Sequence, residues 1–237
     1  MGRLLWLVVM FSLWSHSSNA TSHPFVPGPL AWAPMSEQPD HYFTAEPASP
    51  EERRQIAVRL DGRSVTLTTA KGVYSPERLD PGTAVLLAGA PDPSPTGDLL
   101  DLGCGWGPIA LTLALRSPAA RVWGVDVNRR ALDLARANAG ELGVETITFC
   151  EPDDVPDDVR FATIWSNPPI HVGKAALHAL LERWLPRLAD DGVAHLVVQK
   201  HLGSDSLQTW INAQDWGLRC TRLSSAKAFR ILEVRRA

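Results

Sequence analysis

Two short stretches of this chain combine residue types that can do chemistry. The first is Asn167-Pro168-Pro169-Ile170. A nitrogen attached to a planar ring or carbonyl is a poor nucleophile, because its lone pair is delocalised. An Asn side-chain oxygen and a backbone carbonyl are both acceptors, and together they can take the two N–H bonds of such an amine. That turns the lone pair outward and stabilises charge growing on nitrogen. Pro168 and Pro169 fix their own φ and stiffen the loop that holds the acceptors. Asn-Pro alone is a common turn after a strand. Asn-Pro-Pro downstream of a glycine loop is a much narrower pattern.

That glycine loop is the second stretch, Asp101-Leu102-Gly103-Cys104-Gly105-Trp106-Gly107. Glycines let a backbone turn sharply and approach a ligand closely. A helix start just beyond the loop offers unpaired N–H groups. Dinucleotide-binding turns space their glycines as G-x-G-x-x-G. Here the spacing is G-x-G-x-G, and Pro108 stands where the third dinucleotide glycine would be. An Asp at the head of the loop repels a phosphate and suits S-adenosylmethionine, which carries an amino-acid end and a sulfonium cation. Gly103, Gly105 and Gly107 with Asp101 are the candidate cradle. Asp126, followed by Val127, can accept both hydroxyls of a ribose; the other role open to it or to Asn128 is capping the next helix. Asp153, in Pro152-Asp153-Asp154, can accept from an adenine amine or stand as solvated charge. The chemistry implied is transfer of a methyl group to an exocyclic amine, with alignment of nucleophile, methyl and sulfur as the remaining contribution.

The elements that must position these residues follow an α/β pattern. Residues 55–60 and 64–69 alternate and are rich in β-branched residues, with Asp61-Gly62 between them as a hairpin turn. Residues 35–95 read as a small β-rich preface. From residue 96 the pattern alternates. Strands are expected at 99–103, 122–127, 146–150, 161–166 and 193–199. Helices are expected at 108–115, 129–142, 174–188 and 206–213. Two final strands, 218–224 and 229–235, are joined by so short a link that they must run antiparallel. The result is a mostly parallel seven-stranded Rossmann-like sheet with helices on both faces and the last strand antiparallel. That is the sheet of class I S-adenosylmethionine-dependent methyltransferases.

The chain has 237 residues, 45% of them hydrophobic, enough for a sizeable core. Its three cysteines, Cys104, Cys150 and Cys220, are odd in number and widely spaced, which excludes a disulfide framework and favours free thiols. The seven histidines show no ligand spacing, so no metal is expected. A net charge of −3 excludes a basic nucleic-acid coat, although residues 160–237 are basic in balance and the remainder acidic. Residues 1–34 have the outline of a secretory signal. Their apolar run from Leu4 to Trp14 falls short of the ~20 residues that span a bilayer. Adenosylmethionine is held inside the cell, so we expect translation to begin at Met35, residues 1–34 to be poorly ordered if present, and the protein to be cytoplasmic without a stable membrane partner.

An ordered series of motifs resembles the methyltransferase small-domain family. It runs through His41-Tyr42-Phe43-Thr44, Gly72-Val73-Tyr74-Ser75 and Leu79-Asp80-Pro81-Gly82-Thr83. It continues through the glycine loop, Asp126-Val127-Asn128 and Asn167-Pro168-Pro169-Ile170. It closes with Val198-Gln199-Lys200 and Lys227-Ala228-Phe229-Arg230. The best-described members methylate guanine-N2 in 16S ribosomal RNA. The resemblance therefore implies that Gly103, Gly105 and Asp126 hold the cofactor and that Asn167 and Pro168 orient the target amine. It implies the small ribosomal subunit or its RNA as partner, with His171, Lys174, Lys200, Lys227 and Arg230 as candidate phosphate contacts. Two departures stand out. The larger members carry a duplicated N-terminal domain that helps bind RNA, a pattern not seen here. Many amine methyltransferases place an aromatic residue after Asn-Pro-Pro to stack a base, and here Ile170 stands there. Trp106, Tyr74 or Phe43 can supply that face instead, although packing is the commoner role of each. Two other readings compete: the same chemistry on adenine-N6 or a protein glutamine-N5, and a binding module that keeps the fold without activity.

Overall fold

The structure, a computed structural model, describes residues 45–47 and 49–237. The expectations for residues 1–34, and the motif His41 to Thr44 with its Phe43, lie outside the described residues.

The described chain opens with β1 (Arg53–Leu60) and β2 (Arg63–Ala70), paired antiparallel. Asp61 and Gly62 link them with φ of 46° and 75°. Two positive angles in a two-residue link match the right-handed strand twist, so the expected hairpin forms. The next element is α1 (Pro81–Gly89), so the stretch expected to be β-rich also carries a helix. Its signals are local. The Asp80 side chain caps it, Pro81 takes the first position where no N–H is needed, and Val85, Leu86 and Leu87 are buried.

The main sheet then builds in sequence. Its elements are β3 (Asp98–Leu102), α2 (Pro108–Arg116), β4 (Arg121–Val125), α3 (Arg129–Glu141), β5 (Ile147–Cys150) and β6 (Phe161–Ser166). They continue with α4 (Lys174–Trp184), β7 (Leu188–Gln199), α5 (Ser204–Asn212), β8 (Leu218–Ala226) and β9 (Phe229–Arg236). The strand order is β5-β4-β3-β6-β7-β9-β8. β3 runs parallel to β4 and β6, whereas β9 runs antiparallel to both β7 and β8. This is the expected seven-stranded class I methyltransferase sheet. Two boundaries differ by more than two residues, and in the first of them β7 starts at Leu188 rather than at the expected 193. The helix expected to reach residue 188 ends at Trp184, and Leu185–Arg187 form a single 3-10 turn. Leu185 still keeps helical angles, but Pro186 has no N–H to continue the helix ladder.

Alternation along each strand divides the core into two layers. Leu99, Val122, Phe149, Trp165 and Val197 face α1, α2, α3 and the hairpin. Leu100, Leu102, Trp123, Ile164 and Val198 face α4 and α5. Cys104, Cys150 and Cys220 are free and buried in these layers. Among the described residues, no helix is long and apolar enough to cross a membrane.

The hairpin is tied to the first layer by Asn138, fully buried on α3. Its Nδ2 donates to the carbonyls of Thr68 and Trp106, and its Oδ1 accepts from the Thr68 N–H at 2.7 Å. One side chain thereby joins β2, α3 and the glycine loop. Asn138→Ala leaves three buried backbone groups unpaired, each worth ~1–3 kcal/mol. We expect a loss of about 3 kcal/mol in the free energy of urea unfolding. A loss below about 1 kcal/mol would show that the three groups find other partners.

Candidate active site

From β3 the chain crosses to β4 on one side of the sheet; from β6 it crosses to β7 on the other. A crevice opens outside the strand ends wherever connections diverge in this way. A cleft is found there, lined by residues from both halves of the sheet. Gly103, Gly105, Asp126 and Val127 line one end; Asn167, Pro168, Pro169, Ile170 and His171 line the other.

The glycine loop is shaped by its own backbone and by two carboxylates. The N–H groups of Gly103 and Cys104 both donate to the Val125 carbonyl, at 2.8 and 3.0 Å, folding the loop over the end of β4. Gly103, Gly105 and Gly107 all take positive φ, at 79°, 54° and 97°, a region closed to most side chains. They do different work. A Cβ on Gly103 or Gly105 would meet no protein atom within 4 Å, and both residues face the cleft. A Cβ on Gly107 would stand 3.2 Å from the Ala135 Cβ. Gly107 therefore packs α2 against α3 and does not reach the cleft.

Asp101 is on the α2 side of β3 and wholly buried. Its Oδ2 accepts from the Ala110 N–H at 2.8 Å, satisfying one unpaired donor of the α2 start. It stands beneath the loop and does not line the cleft. Burial pushes its carboxyl well above the usual range; the Ala110 hydrogen bond pulls the other way, and the charge of Asp126 adds to the rise. Asp126, by contrast, lines the cleft. Its Oδ2 accepts from the Gly105 N–H at 2.8 Å and its Oδ1 from the Asn128 N–H at 2.9 Å. Burial raises its carboxyl too, opposed by the backbone N–H groups of Asn128, Gly105 and Val127. The capping role falls to Asn128, whose Oδ1 accepts from the Ala131 N–H. Asp126 is thus left to face the cleft.

Asn167 follows β6 directly. Its Nδ2 donates to Asp80 Oδ2 at 2.8 Å and to Thr83 Oγ1 at 3.1 Å. Among the described residues no donor bonds its Oδ1, so the amide presents an open acceptor at the cleft. Phe229, at the start of β9, lines the same cleft with Ile170 and supplies an aromatic wall. Trp106 is not available for that purpose: it is buried and its Nε1 donates to the Tyr74 carbonyl at 3.2 Å. Tyr74 lines the cleft and its hydroxyl donates to Asp80 Oδ1.

Two further residues expected at the site are held by other partners. Asp153 is 91% exposed and ion-paired with Arg183 at 2.8 Å; its neighbour Pro152 lines the cleft instead. Arg230 donates to Ser204 Oγ and pairs with Asp205, which occupies its guanidinium. Lys174 borders a second hollow that shares Ile170 and Leu202 with the cleft. Lys200 and Lys227 meet each other, Lys200 Nζ donating to the Lys227 carbonyl at 2.8 Å. Sequence reasoning missed Asp80, Thr83 and Phe229 as site residues. Each belongs to a motif of the family resemblance, but only the packing of α1 and β9 against the loop after β6 brings them together. Among the described residues, no three His, Cys, Asp or Glu side chains cluster as a metal site would need.

Sheet order, glycine loop and cleft together define a class I methyltransferase fold. The model of the methyltransferase small domain matches residues 64–233, and the chain belongs to that family. It is 33% identical over 170 residues to the Bacillus subtilis protein named "Uncharacterized protein YbxB", covering 70% of this chain and 85% of that one. It is 31% identical over 209 residues to ribosomal RNA small subunit methyltransferase C of Pseudomonas aeruginosa, covering 81% of this chain and 58% of that protein. A solved structure of the Thermus thermophilus 16S rRNA N2 G1207 methyltransferase, in complex with AdoMet and guanosine, shares the fold. Its TM-score is 0.65 at 23% identity, over 79% of this chain and 52% of that one. The chain thus spans between half and three-fifths of these two methyltransferases.

Asp101 makes a prediction about pH. Its carboxyl is raised in the folded state, so the fold holds this proton more tightly than the unfolded chain does. Its contribution to stability therefore falls as pH rises from the ordinary 3.8 through the higher folded value. Asp101→Asn keeps an acceptor for Ala110 and cannot ionise. The unfolding free energy of wild type minus variant, measured in urea between about pH 4 and about pH 9, is expected to decline with pH. A constant difference would mean that Asp101 titrates as an ordinary carboxyl.

Proposed function

We propose that this chain uses S-adenosylmethionine to methylate an exocyclic amine, N2 of guanine in small-subunit ribosomal RNA. One observation carries the reading: Asn167, held by its Nδ2 and with no donor on its Oδ1 among the described residues, lines a cleft whose other end is the glycine loop. A cofactor of this shape fits the residues present. Gly103 and Gly105 leave room against bare backbone, the place for the amino-acid end. Asp126 accepts backbone N–H groups on both oxygens and keeps lone pairs for two ribose hydroxyls. Val127 offers an apolar edge beside it. When bound, S-adenosylmethionine supplies an electrophilic methyl group on sulfur.

The chain's own residues do the rest. Asn167 Oδ1 and a carbonyl of the Pro168-Pro169 loop take the two N–H bonds of the amine and aim its lone pair along the cleft. Phe229 on one side and Ile170 on the other hold a planar base between them. His171 lines the cleft and Lys174 the hollow that adjoins it, and with Lys200 and Lys227 they are the candidate contacts for a phosphate backbone. Ribosomal RNA as the source of that base is supported by the printed names of the Pseudomonas and Thermus relatives.

Two results test the reading. Tritiated methyl transfer is measured onto small subunits, large subunits, naked ribosomal RNA and a release factor. Label on guanine-N2 of small-subunit RNA is expected; label on adenine or on protein glutamine would reassign the acceptor. No transfer together with no S-adenosylmethionine binding in calorimetry would leave a binding module. Asn167→Ala should lower kcat by ~10²–10³-fold, the scale for one lost charge-stabilising contact, with cofactor affinity unchanged. Unchanged turnover would remove Asn167 from the chemistry. Separately, Phe229→Ala should raise KM for the acceptor by about 10-fold, within the range of one lost base–aromatic stack, again without moving cofactor affinity.

A further inference from the structure

We infer that Asp80, at the start of α1, is a positioning residue that fixes which way the Asn167 amide faces. The inference rests on the reading of Asn167 as the acceptor for the target amine. An Asn side chain has a donor end and an acceptor end of nearly equal shape, and a half-turn about its last bond exchanges them. Only one of the two arrangements can receive an amine's N–H. The chain must therefore contain something that distinguishes nitrogen from oxygen at this side chain.

Asp80 does so by chemistry alone. Its carboxylate takes four donors: the N–H groups of Gly82 and Thr83, the Tyr74 hydroxyl and Asn167 Nδ2, at 2.7, 3.1, 2.9 and 2.8 Å. A carboxylate that receives four donors has no proton to give. The atom of Asn167 that faces it must be the nitrogen, and Oδ1 is thereby turned away. Thr83 Oγ1 receives the same nitrogen at 3.1 Å. Two acceptors on one helix start thus hold one amide. The space beside Oδ1 is kept clear as well. A Cβ at Gly82 would lie 2.9 Å from Phe229 Cε1 and 3.3 Å from Asn167 Oδ1. A side chain there would displace the aromatic wall, or the acceptor, or both.

Capping α1 and orienting Asn167 are separable roles. Asp80→Ser keeps a cap, because Ser accepts from the first-turn N–H groups as well as Asp does, but its shorter side chain withdraws from Asn167. Asp80→Asn keeps both. Its carbonyl can occupy the Oδ2 position, toward the helix start and Asn167, while its nitrogen faces the Tyr74 hydroxyl, which can accept.

The test uses the full chain and whichever substrate the wild type methylates among small subunits, large subunits, naked ribosomal RNA and release factor. Asp80→Ser is expected to lower kcat by about 10- to 100-fold, the scale for a misplaced reacting group, with melting temperature and cofactor affinity near wild type. Asp80→Asn is expected to stay within about threefold of wild type in kcat, since its carbonyl keeps the same acceptor position. On an Asn167→Ala background, Asp80→Ser should lower the residual rate no further, because the two residues act through one contact. Equal kcat losses for Ser and Asn at position 80, or additive losses with Asn167→Ala, would overturn the inference. So would wild-type kcat for Asp80→Ser where Asn167→Ala is inactive, and the assignment of Asn167 would then survive. Full activity of Asn167→Ala would overturn both.

Discussion

Two carboxylates on neighbouring strands hold the glycine loop from below and from the side, and the rest of the site is arranged around that grip. Asp101 reaches under the loop to the start of α2; Asp126 reaches across to the Gly105 N–H. Between them the loop is fixed at both ends while its two cleft-facing glycines stay bare. The arrangement has an electrostatic cost, because Asp101 is wholly buried, Asp126 is partly so, and burial raises both. Backbone N–H groups offset part of it, since each is a donor aimed at the charged form. One oxygen of Asp101 remains buried and without a partner among the described residues. A ligand that brings positive charge and hydroxyl donors to this end of the cleft, as the proposed cofactor does, compensates charge that folding alone leaves uncompensated.

At the other end charge decides where shape cannot. An amide and a carboxylate have nearly the same shape, so Asp would fit at position 167. It would also face the Asp80 carboxylate at the 2.8 Å now spanned by a hydrogen bond. Two unit charges that close repel by several kcal/mol even at an effective dielectric constant of about 20. One of the pair would have to take up a proton, and the clean division between donor side and acceptor side would be lost. Asn at position 167 and Asp at position 80 are therefore a matched pair. The match makes the segment before the main sheet part of the site. The hairpin, Val73 and α1 share one core with α2 and α3, and this core sets the distance between Asp80 and the end of β6.

Much of the frame was legible in the sequence. Strand and helix periodicity, the Asp61-Gly62 turn and the short final link were enough to give the sheet and the direction of its last strand. Gly103, Gly105, Asp126 and Asn167 were legible because each sits where a strand ends, and strand ends in this topology meet at one crevice. The expected residues that the fold places off the cleft have the opposite character. Asp101 and Gly107 belong to the same motif as the cleft residues, and nothing in their spacing tells a residue under the loop from one on it; the alternation of β3 turns Asp101 inward. Asp153 follows a strand too, but Arg183 on α4 draws it outward. Arg230 reads as a free cation until Asp205 is brought opposite it by α5. Such pairings are tertiary, and no local pattern announces them.

The position after Asn-Pro-Pro shows the same limit from another direction. An aliphatic residue there removes one aromatic platform, and taken along the chain it weakens the case for a planar acceptor. In the folded protein Ile170 and Phe229 line one cleft, although 59 positions separate them in the sequence. Phe229 opens the strand that runs antiparallel to β7, and its ring lies close to Gly82 at the start of α1. On the proposed function, the three things a base amine needs come from three parts of the chain. The plane comes from β9, the acceptor from the loop after β6, and the orientation of that acceptor from α1. A change at Ile170 alone therefore leaves the other contributions standing. Acceptor preference in this fold is then a property of how β9 and α1 pack across the end of β6, not of the four residues that carry the motif.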